Sequence, residues 1–238
     1  MLRVRLGLCG GIRFKSMTVM AVTKFERFFR VVVGLHVDKQ DLRRYSDFVN
    51  QKIYDLAKEI FGISKYWHKR IVRAGVNTLL PYADNPPDHT IGEDDILFLD
   101  LGPVFEEYEA DFGRTFVIGS DPMKLKLRDD VAQAFADGKR YFNENPDITA
   151  DQLCAHAVFL AEKYGWEFGG PIAGHLIGQF PHERIAEDKI TLYVHPKNNL
   201  PMRSTDEKGQ MRHWILEIHF VDHKRRIGGF FEELLTIA

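Results

Sequence analysis

The chain has 238 residues, of which 45% are hydrophobic and 28% charged, the composition of an ordinary globular protein. A formal net charge of -2 gives no reason to expect nucleic acid or an anionic membrane as a partner, and no apolar run is long enough to span a bilayer. The two cysteines, Cys9 and Cys154, form neither a metal-binding pair nor a disulfide framework, so we expect a reducing compartment such as the cytoplasm.

The first 25 residues differ in character from the rest of the chain. They contain no acid and carry basic side chains at Arg3, Arg5, Arg13, Lys15 and Lys24. One interpretation is a presequence of the mitochondrial type, and the other is a disordered extension or an upstream start, with Met17 or Met20 as the true beginning. We favour the second interpretation and treat residues 26–238 as a single domain.

The first regular elements follow from the spacing of apolar side chains. Residues 37–62 predict an amphipathic helix, because apolar side chains recur at three- and four-residue spacing until Gly62. The apolar run "ILFLDLG", residues 96–102, predicts a buried strand. Residues 105–119 predict the strand that returns beside it and ends at Gly119.

Two helices are predicted next. Asp121-Pro122 opens a charged helix that continues to about Tyr141. A second helix starts at Thr149, whose side chain can cap it, with Gln152 in the capping-box position.

The last third of the chain predicts a loop and two strands. Residues 184–212 are polar and predict a long loop, and the strands that close the chain are residues 213–221 and 228–237. Strands that can pair as neighbours, with helices set apart from them, predict an α+β domain with an antiparallel core.

Acidic side chains interrupt four apolar strand patterns, at Asp100, Asp111, Glu217 and Glu232. A buried, unpaired carboxylate is very unfavourable, so each position requires a cation or a proton. An ion pair between Asp111 and Arg114 would account for one of them, but Arg114 and His219 are the basic groups that these strands offer. Together with His175 in "GHLIGQFPHE", four such acids are explained more simply by metal.

The predicted donors indicate which metal would bind. Oxygen donors with one imidazole suit Mn, Co, Fe or Zn. Four carboxylates carry more charge than one divalent ion needs, whereas two ions about 3.5–4 Å apart, bridged by carboxylates and a water, balance it better. A water bridged in this way is a strong nucleophile at neutral pH.

These residues resemble the pita-bread-fold metallopeptidases, the family of methionine aminopeptidase, aminopeptidase P, prolidase and the related creatinase. The family's two aspartates, eleven residues apart, are matched by "DLGPVFEEYEADFGRTF". Its "GHGIG…HE" motif is matched by "GHLIGQFPHE", and its two late glutamates by "LEIHF" and "GGFFEELL". The resemblance covers residues 37–238 and implies the α+β pita-bread fold, a pseudo-symmetric antiparallel sheet covered by helices.

The resemblance also implies a role for each ligand. Asp100 would chelate one ion through both oxygens, and Asp111 and Glu232 would bridge the two ions. His175 and Glu217 would complete the other ion, and Glu217 would double as the proton shuttle for the bridging water.

Substrate-binding residues are predicted less completely. His182 matches the family's second histidine, which faces the substrate, although a packed or surface histidine is the alternative. The histidine that the family has in the loop before the first aspartate is replaced by Tyr82. Tyr82 could donate a hydrogen bond to an oxyanion, and His68 or His89 could reach the site.

The resemblance favours the Xaa-Pro peptidases in one motif and departs from them in two respects. The "GRTF" after Asp111 is closer to the Xaa-Pro enzymes than to the methionine aminopeptidases. Xaa-Pro enzymes usually carry an extra N-terminal domain, which we expect to be lacking here, and often have an arginine where this chain has Phe230.

We therefore expect a two-metal exopeptidase of the aminopeptidase or Xaa-Pro dipeptidase type, acting on a short peptide. A non-peptide C–N hydrolase of the creatinase type, acting on a small amide, is the second hypothesis. A binding protein that kept the fold and lost catalysis is the third. We expect no nucleic acid and no membrane partner, and we allow for a homodimer.

Overall fold

The computed structural model of the chain describes residues 46–105, 107–181 and 190–236. The predicted extension over residues 1–25 and the beginning of the predicted domain lie outside this part of the chain. The described elements, in order, are α1 (Ser46–Phe61), β1 (Ile71–Ala74), a 3-10 helix (Gly75–Leu79), β2 (Ile96–Leu101), β3 (Val104–Phe105), β4 (Tyr108–Glu109), β5 (Phe112–Val117), α2 (Pro122–Glu144), α3 (Ala150–Tyr164), β6 (Glu167–Phe168), β7 (Leu176–Ile177), β8 (His213–Asp222) and β9 (Ile227–Leu234).

A seven-stranded antiparallel sheet carries the described part of the fold. Its strands run in the order β1-β2-β5-β9-β8-β6, and β7 pairs with β8 beside this path. The long strands β8 and β9 pair along eight positions. The predicted α+β class with an antiparallel core is confirmed.

The return strand predicted over residues 105–119 is interrupted, which corrects the prediction. β3 and β4 form a separate two-stranded hairpin, and the sheet resumes only with β5. The reason lies in the backbone of the two residues before Asp111, because the N–H of Glu109 donates to Gly178 O and that of Ala110 to Pro103 O. These groups bond outside the ladder, so the strand cannot continue through them.

The helices agree with their predicted signals. The described part of the first helix ends where predicted, with Gly62 in a left-handed conformation (φ 69°). α2 is capped by Asp121, whose carboxylate accepts from two backbone N–H groups of the first turn, and it runs three residues past the predicted end. At the start of α3 the backbone N–H of Thr149 donates to Gln152 Oε1, as the capping-box prediction requires.

The two faces of the sheet are covered differently. On one face α2 and α3 bury a large apolar cluster that includes Leu127, Leu160, Leu216 and Phe220. At the β1–β2 end, α1 covers a smaller cluster around Leu99. Because side chains alternate along a strand, Asp100 and Glu217, next to Leu99 and Leu216, project from the other face.

The loop predicted over residues 184–212 is described from residue 190 onward and contains isolated bridges but no strand there. It is not wholly polar, since Val194 and Met202 are fully buried in the main cluster. Cys154 is buried, as expected of a structural cysteine. None of the helices described in the structure is long and apolar enough to cross a membrane.

Candidate metal centre

One cross-strand row of the sheet sets three of the predicted ligands side by side. Asp100 pairs with Gly113, Gly113 with Glu232, and Glu232 with Glu217, across β2, β5, β9 and β8. Paired residues project from the same face, so the three carboxylates face the same side. Gly113 has no side chain, and a Cβ there would lie only 2.7 Å from Glu232 Cβ. The space between the three carboxylates is therefore left open.

Asp111, the residue directly before β5, places its carboxylate in this space. Its Oδ1 accepts from the backbone N–H of Phe112 at 2.9 Å and lies 3.3 Å from His68 Nε2. Its Oδ2 lies 3.1 Å from His175 Nε2. The side chain is 1% exposed, so its charge is balanced by groups within the cluster rather than by water.

His175 is placed by the glycine before it. Gly174 has a φ of 141°, and a Cβ on it would lie 2.0 Å from Ile215 O, so the backbone here lies directly against β8. The ring then reaches across to the sheet, with Nε2 3.5 Å from Glu217 Oε1 and 3.4 Å from Glu232 Oε1. All five predicted ligands are therefore brought together, linked through two histidine rings.

The donors of this cluster fit divalent metal. Among the described residues, Glu232 Oε2 is buried without a hydrogen-bond partner, which is expected of an oxygen whose partner is a bound cation. In the part of the chain that the structure describes, two groups of potential ligands have their atoms within 4.8 Å of one another, namely His68, Asp100 and Asp111, and Asp111, His175 and Glu232. They share Asp111, and their oxygen and imidazole donors suit Mn, Co, Fe or Zn.

Ionisation in the cluster shows how strongly it needs positive charge. Burial raises the pKa of Asp100 to about 6, against the attraction of His68. Burial also raises the pKa of Glu217 to about 7. For Asp111 the opposing histidine charges outweigh burial and lower the pKa to about 2.

Against the effect of burial, the pKa values of the two histidines are also raised, by the neighbouring carboxylates. Burial disfavours the charged form of His68, but Asp111 and Asp100 outweigh it and raise the pKa to about 9. The pKa of His175 is likewise raised well above its ordinary value, by Asp111 and Glu232 against burial. In a metal-free molecule, protons on the two rings supply the positive charge that the carboxylates require.

Neither Arg114 nor His219 provides this charge. The side chains of Arg114 and Asp111 project from opposite faces of the sheet, and Arg114 forms an ion pair with Glu233. Burial lowers the pKa of His219 to about 4, so the ring is neutral, and its Nε2–H donates to Thr78 O at 2.8 Å. The ordinary pairing of Asp111 with Arg114 is thus not the arrangement adopted.

The remaining predicted site residues are placed unequally. His68 enters the cluster, whereas His89 Nε2 lies 3.3 Å from Asp95 Oδ2 and forms a separate pair. Tyr82 is 50% exposed, with its ring centroid 5.8 Å from that of His68. His182 lies outside the described residues.

Sequence reasoning overlooked Trp67. The ring centroid of Trp67 lies 5.1 Å from that of His175, and Trp67 Nε1–H donates to Ala110 O at 3.0 Å. The indole therefore forms one side of the cluster. Its place next to His68 was the available signal. Phe230 lies two residues before Glu232 and on the same face of the sheet. Its ring centroid lies 5.1 Å from that of Phe98, so the side of the cluster next to these rings is apolar.

Comparison with known proteins gives a family. Residues 21–211 match the profile described as metallopeptidase family M24. The Xaa-Pro dipeptidase of Pyrococcus horikoshii is 30% identical over 123 residues, which make up 51% of this chain and 34% of that protein. The match therefore spans about a third of the length of this curated relative.

Solved structures give the fold. A dipeptidase from Pyrococcus horikoshii superimposes with a TM-score of 0.71 at 20% identity, over 95% of this chain and 60% of the other. A prolidase from Thermococcus sibiricus gives a TM-score of 0.66 at 22% identity, over 89% of this chain and 55% of the other. The predicted pita-bread fold is confirmed by these similarities, and since the family profile spans most of its length, this chain belongs to metallopeptidase family M24.

Proposed function

We propose that this chain is a two-metal exopeptidase, of the aminopeptidase or Xaa-Pro dipeptidase type, that hydrolyses a peptide bond in a short substrate. The observation that carries the proposal is the meeting of three carboxylates and two imidazoles in two groups that share Asp111, with Glu217 next to them at 3.5 Å from His175 Nε2. The name of the Pyrococcus horikoshii relative, Xaa-Pro dipeptidase, supports a substrate with proline next to the cleaved bond.

In this proposal Asp100 and Asp111 would hold one ion, His175, Glu217 and Glu232 would help to hold the other, and Asp111 and Glu232 would contribute to both. Mn, Co, Fe or Zn would each suit these donors. When bound, the ions supply a nucleophilic water near neutral pH and polarise the carbonyl that it attacks.

Glu217 is the residue we assign to proton transfer. Its side chain is 18% exposed, more than those of Asp111 or Glu232 at 1% and 2%, so it is more accessible to solvent and substrate than they are. A carboxylate in this position can take a proton from the attacking water and return it to the leaving amine.

Tyr82 and His182 are the residues that we assign to the substrate. Tyr82 lies beside His68 at the exposed side of the site, where a phenolic O–H can donate to the oxygen that becomes negative in the transition state. His182 retains its predicted role of contacting the substrate near the cleaved bond.

A panel of dipeptides and tripeptides tests the proposal, using full-length protein loaded separately with Mn²⁺, Co²⁺, Fe²⁺ and Zn²⁺. We expect release of the N-terminal residue, fastest from Xaa-Pro substrates, and no release by Glu217→Gln, whose folding is checked by circular dichroism. Activity on creatine-like amides but on no peptide would favour the C–N hydrolase. Metal uptake without activity on either class would favour the binding protein.

A further inference from the structure

The two histidines of the cluster are held in the same way. His175 Nδ1 lies 2.9 Å from Leu176 O, and His68 Nδ1 lies 2.6 Å from Lys69 O, so in each case the backbone carbonyl of the next residue is the partner. A carbonyl oxygen only accepts, so Nδ1 must carry the proton in both rings. In a neutral ring this leaves the Nε2 lone pair directed into the cluster, which is the orientation that metal-ligating histidines take from such outer hydrogen bonds.

The distances around His68 suit a shared ion. Its Nε2 lies 3.4 Å from Asp100 Oδ1 and 3.3 Å from Asp111 Oδ1. Two ligand atoms, each about 2.1 Å from one ion and at a tetrahedral angle, lie about 3.4 Å apart. The corresponding distances around His175 Nε2 are 3.1–3.5 Å, so His68 and His175 stand in equivalent relations to their carboxylates.

The surroundings of His68 hold the ring in this place. The backbone N–H of Trp67 donates to Gly102 O at 2.9 Å, which pins the segment to the end of β2. A Cβ on Gly102 would lie 2.3 Å from His68 Nε2, so the ring packs directly on this glycine. The His68 side chain is 7% exposed, which leaves little surface for contact with a substrate.

We propose that His68 is a ligand of the metal centre, on the side of Asp100, in addition to the five ligands of the proposed function on which this inference rests. The centre then has one imidazole on each side of Asp111. The role of metal ligand differs from the role that we first expected for His68, which was contact with the substrate.

Titration of metal-free, full-length protein with Co²⁺ tests this assignment, with bound metal measured by elemental analysis after dialysis and affinity by calorimetry. Wild-type protein is expected to bind two ions, and His68→Gln to weaken one of the two sites by at least about tenfold while the other is unchanged. His89→Gln is the matched control, because His89 pairs with Asp95 outside the cluster.

A measurement on the wild type avoids dependence on the folding of the variant. In the Co²⁺-loaded protein each ligating histidine keeps its Nδ1–H, which gives a strongly shifted, exchangeable proton resonance. Two such resonances are expected, one each from His68 and His175, and a single one would contradict ligation by His68.

The outcomes separate the two proposals. Wild-type protein that binds no metal overturns the metal centre and, with it, this inference. Wild-type protein that binds two ions, while His68→Gln binds both equally well, overturns only the inference about His68.

Discussion

Glu217 and Glu232 lie directly opposite each other in the antiparallel ladder between β8 and β9. Like charges in this relationship are destabilising, and burial adds to the cost. Burial and the neighbouring acids raise the pKa of Glu232 well above its ordinary value. The pair is a local conflict in the fold, which is typical of residues that serve a function rather than stability.

We therefore predict opposite effects of Glu232→Gln with and without metal. In chelator-treated protein at pH 8, the variant should melt at the same temperature as wild type or higher, because glutamine carries neither the repulsive charge nor the cost of keeping a proton on a buried carboxyl. With saturating Mn²⁺, wild type should gain several degrees and the variant should gain little, since only a metal-binding native state is stabilised. Differential scanning calorimetry measures both, and an equal Mn²⁺ gain in the two proteins would contradict the assignment of Glu232.

The stability of metal-free protein should fall as the pH rises above 6.5. The native pKa values of Asp100, Glu217 and His68 are about 6, 7 and 9, each above the ordinary values of 3.8, 4.5 and 6.5. The native state therefore binds more protons than the unfolded chain does. The stability that these groups contribute is fully present at a pH below their ordinary pKa values and is lost as the pH rises through their native pKa values. Asp111, whose native pKa is about 2, does not oppose the fall above its ordinary value of 3.8. His219, whose native pKa is about 4 against an ordinary value of 6.5, adds stability as the pH rises between these two values and has no further effect above 6.5.

Melting temperatures from pH 4 to pH 9 test this prediction, which covers the interval spanned by those shifts. Above pH 6.5 chelator-treated wild type should become progressively less stable, with the His68 contribution lost between pH 6.5 and about 9. The gain from added Mn²⁺ should grow over the same range, because ligands must lose their protons to bind metal. A Mn²⁺ gain that is independent of pH would contradict the exchange of protons for metal.

Tyr82→Phe should slow turnover with little change in the Michaelis constant. A donor that acts as charge develops stabilises the transition state by roughly 3–4 kcal/mol, so the rate on a short peptide should fall on the order of a hundredfold or more. Metal content should not change. Tyr54→Phe, which removes a phenolic hydroxyl from α1, is the control, and full activity of Tyr82→Phe would direct attention to His182.

Gly113→Ala should weaken both the fold and the metal centre. A Cβ at this position would lie 2.4 Å from an edge atom of the Phe230 ring and 2.7 Å from Glu232 Cβ, so β5 and β9 must separate. Overpacking of this kind costs about 1–3 kcal/mol, which urea unfolding measures. Gly92→Ala is the control, because the nearest atom to its added Cβ would be Asp95 Oδ2 at 3.9 Å, and equal losses in the two variants would contradict the packing argument.

Much of the site could be predicted from the sequence because its signals are local. An acid such as Asp100 or Glu217 inside an apolar, alternating run is unfavourable wherever that run becomes a buried strand. The cap of α2 by Asp121 and the capping box at Thr149 are equally local, since each involves residues within one turn.

Contacts between distant residues were decided by the tertiary structure. His68 and Asp111 are 43 positions apart, and they meet because the segment around Trp67 is bonded to the end of β2. The return strand breaks before Asp111 because Glu109 bonds to Gly178, a partner 69 positions away. Composition and spacing along the chain determine which side chains are costly to bury, whereas strand register and loop approach determine which of them share one volume, and a metal centre requires both.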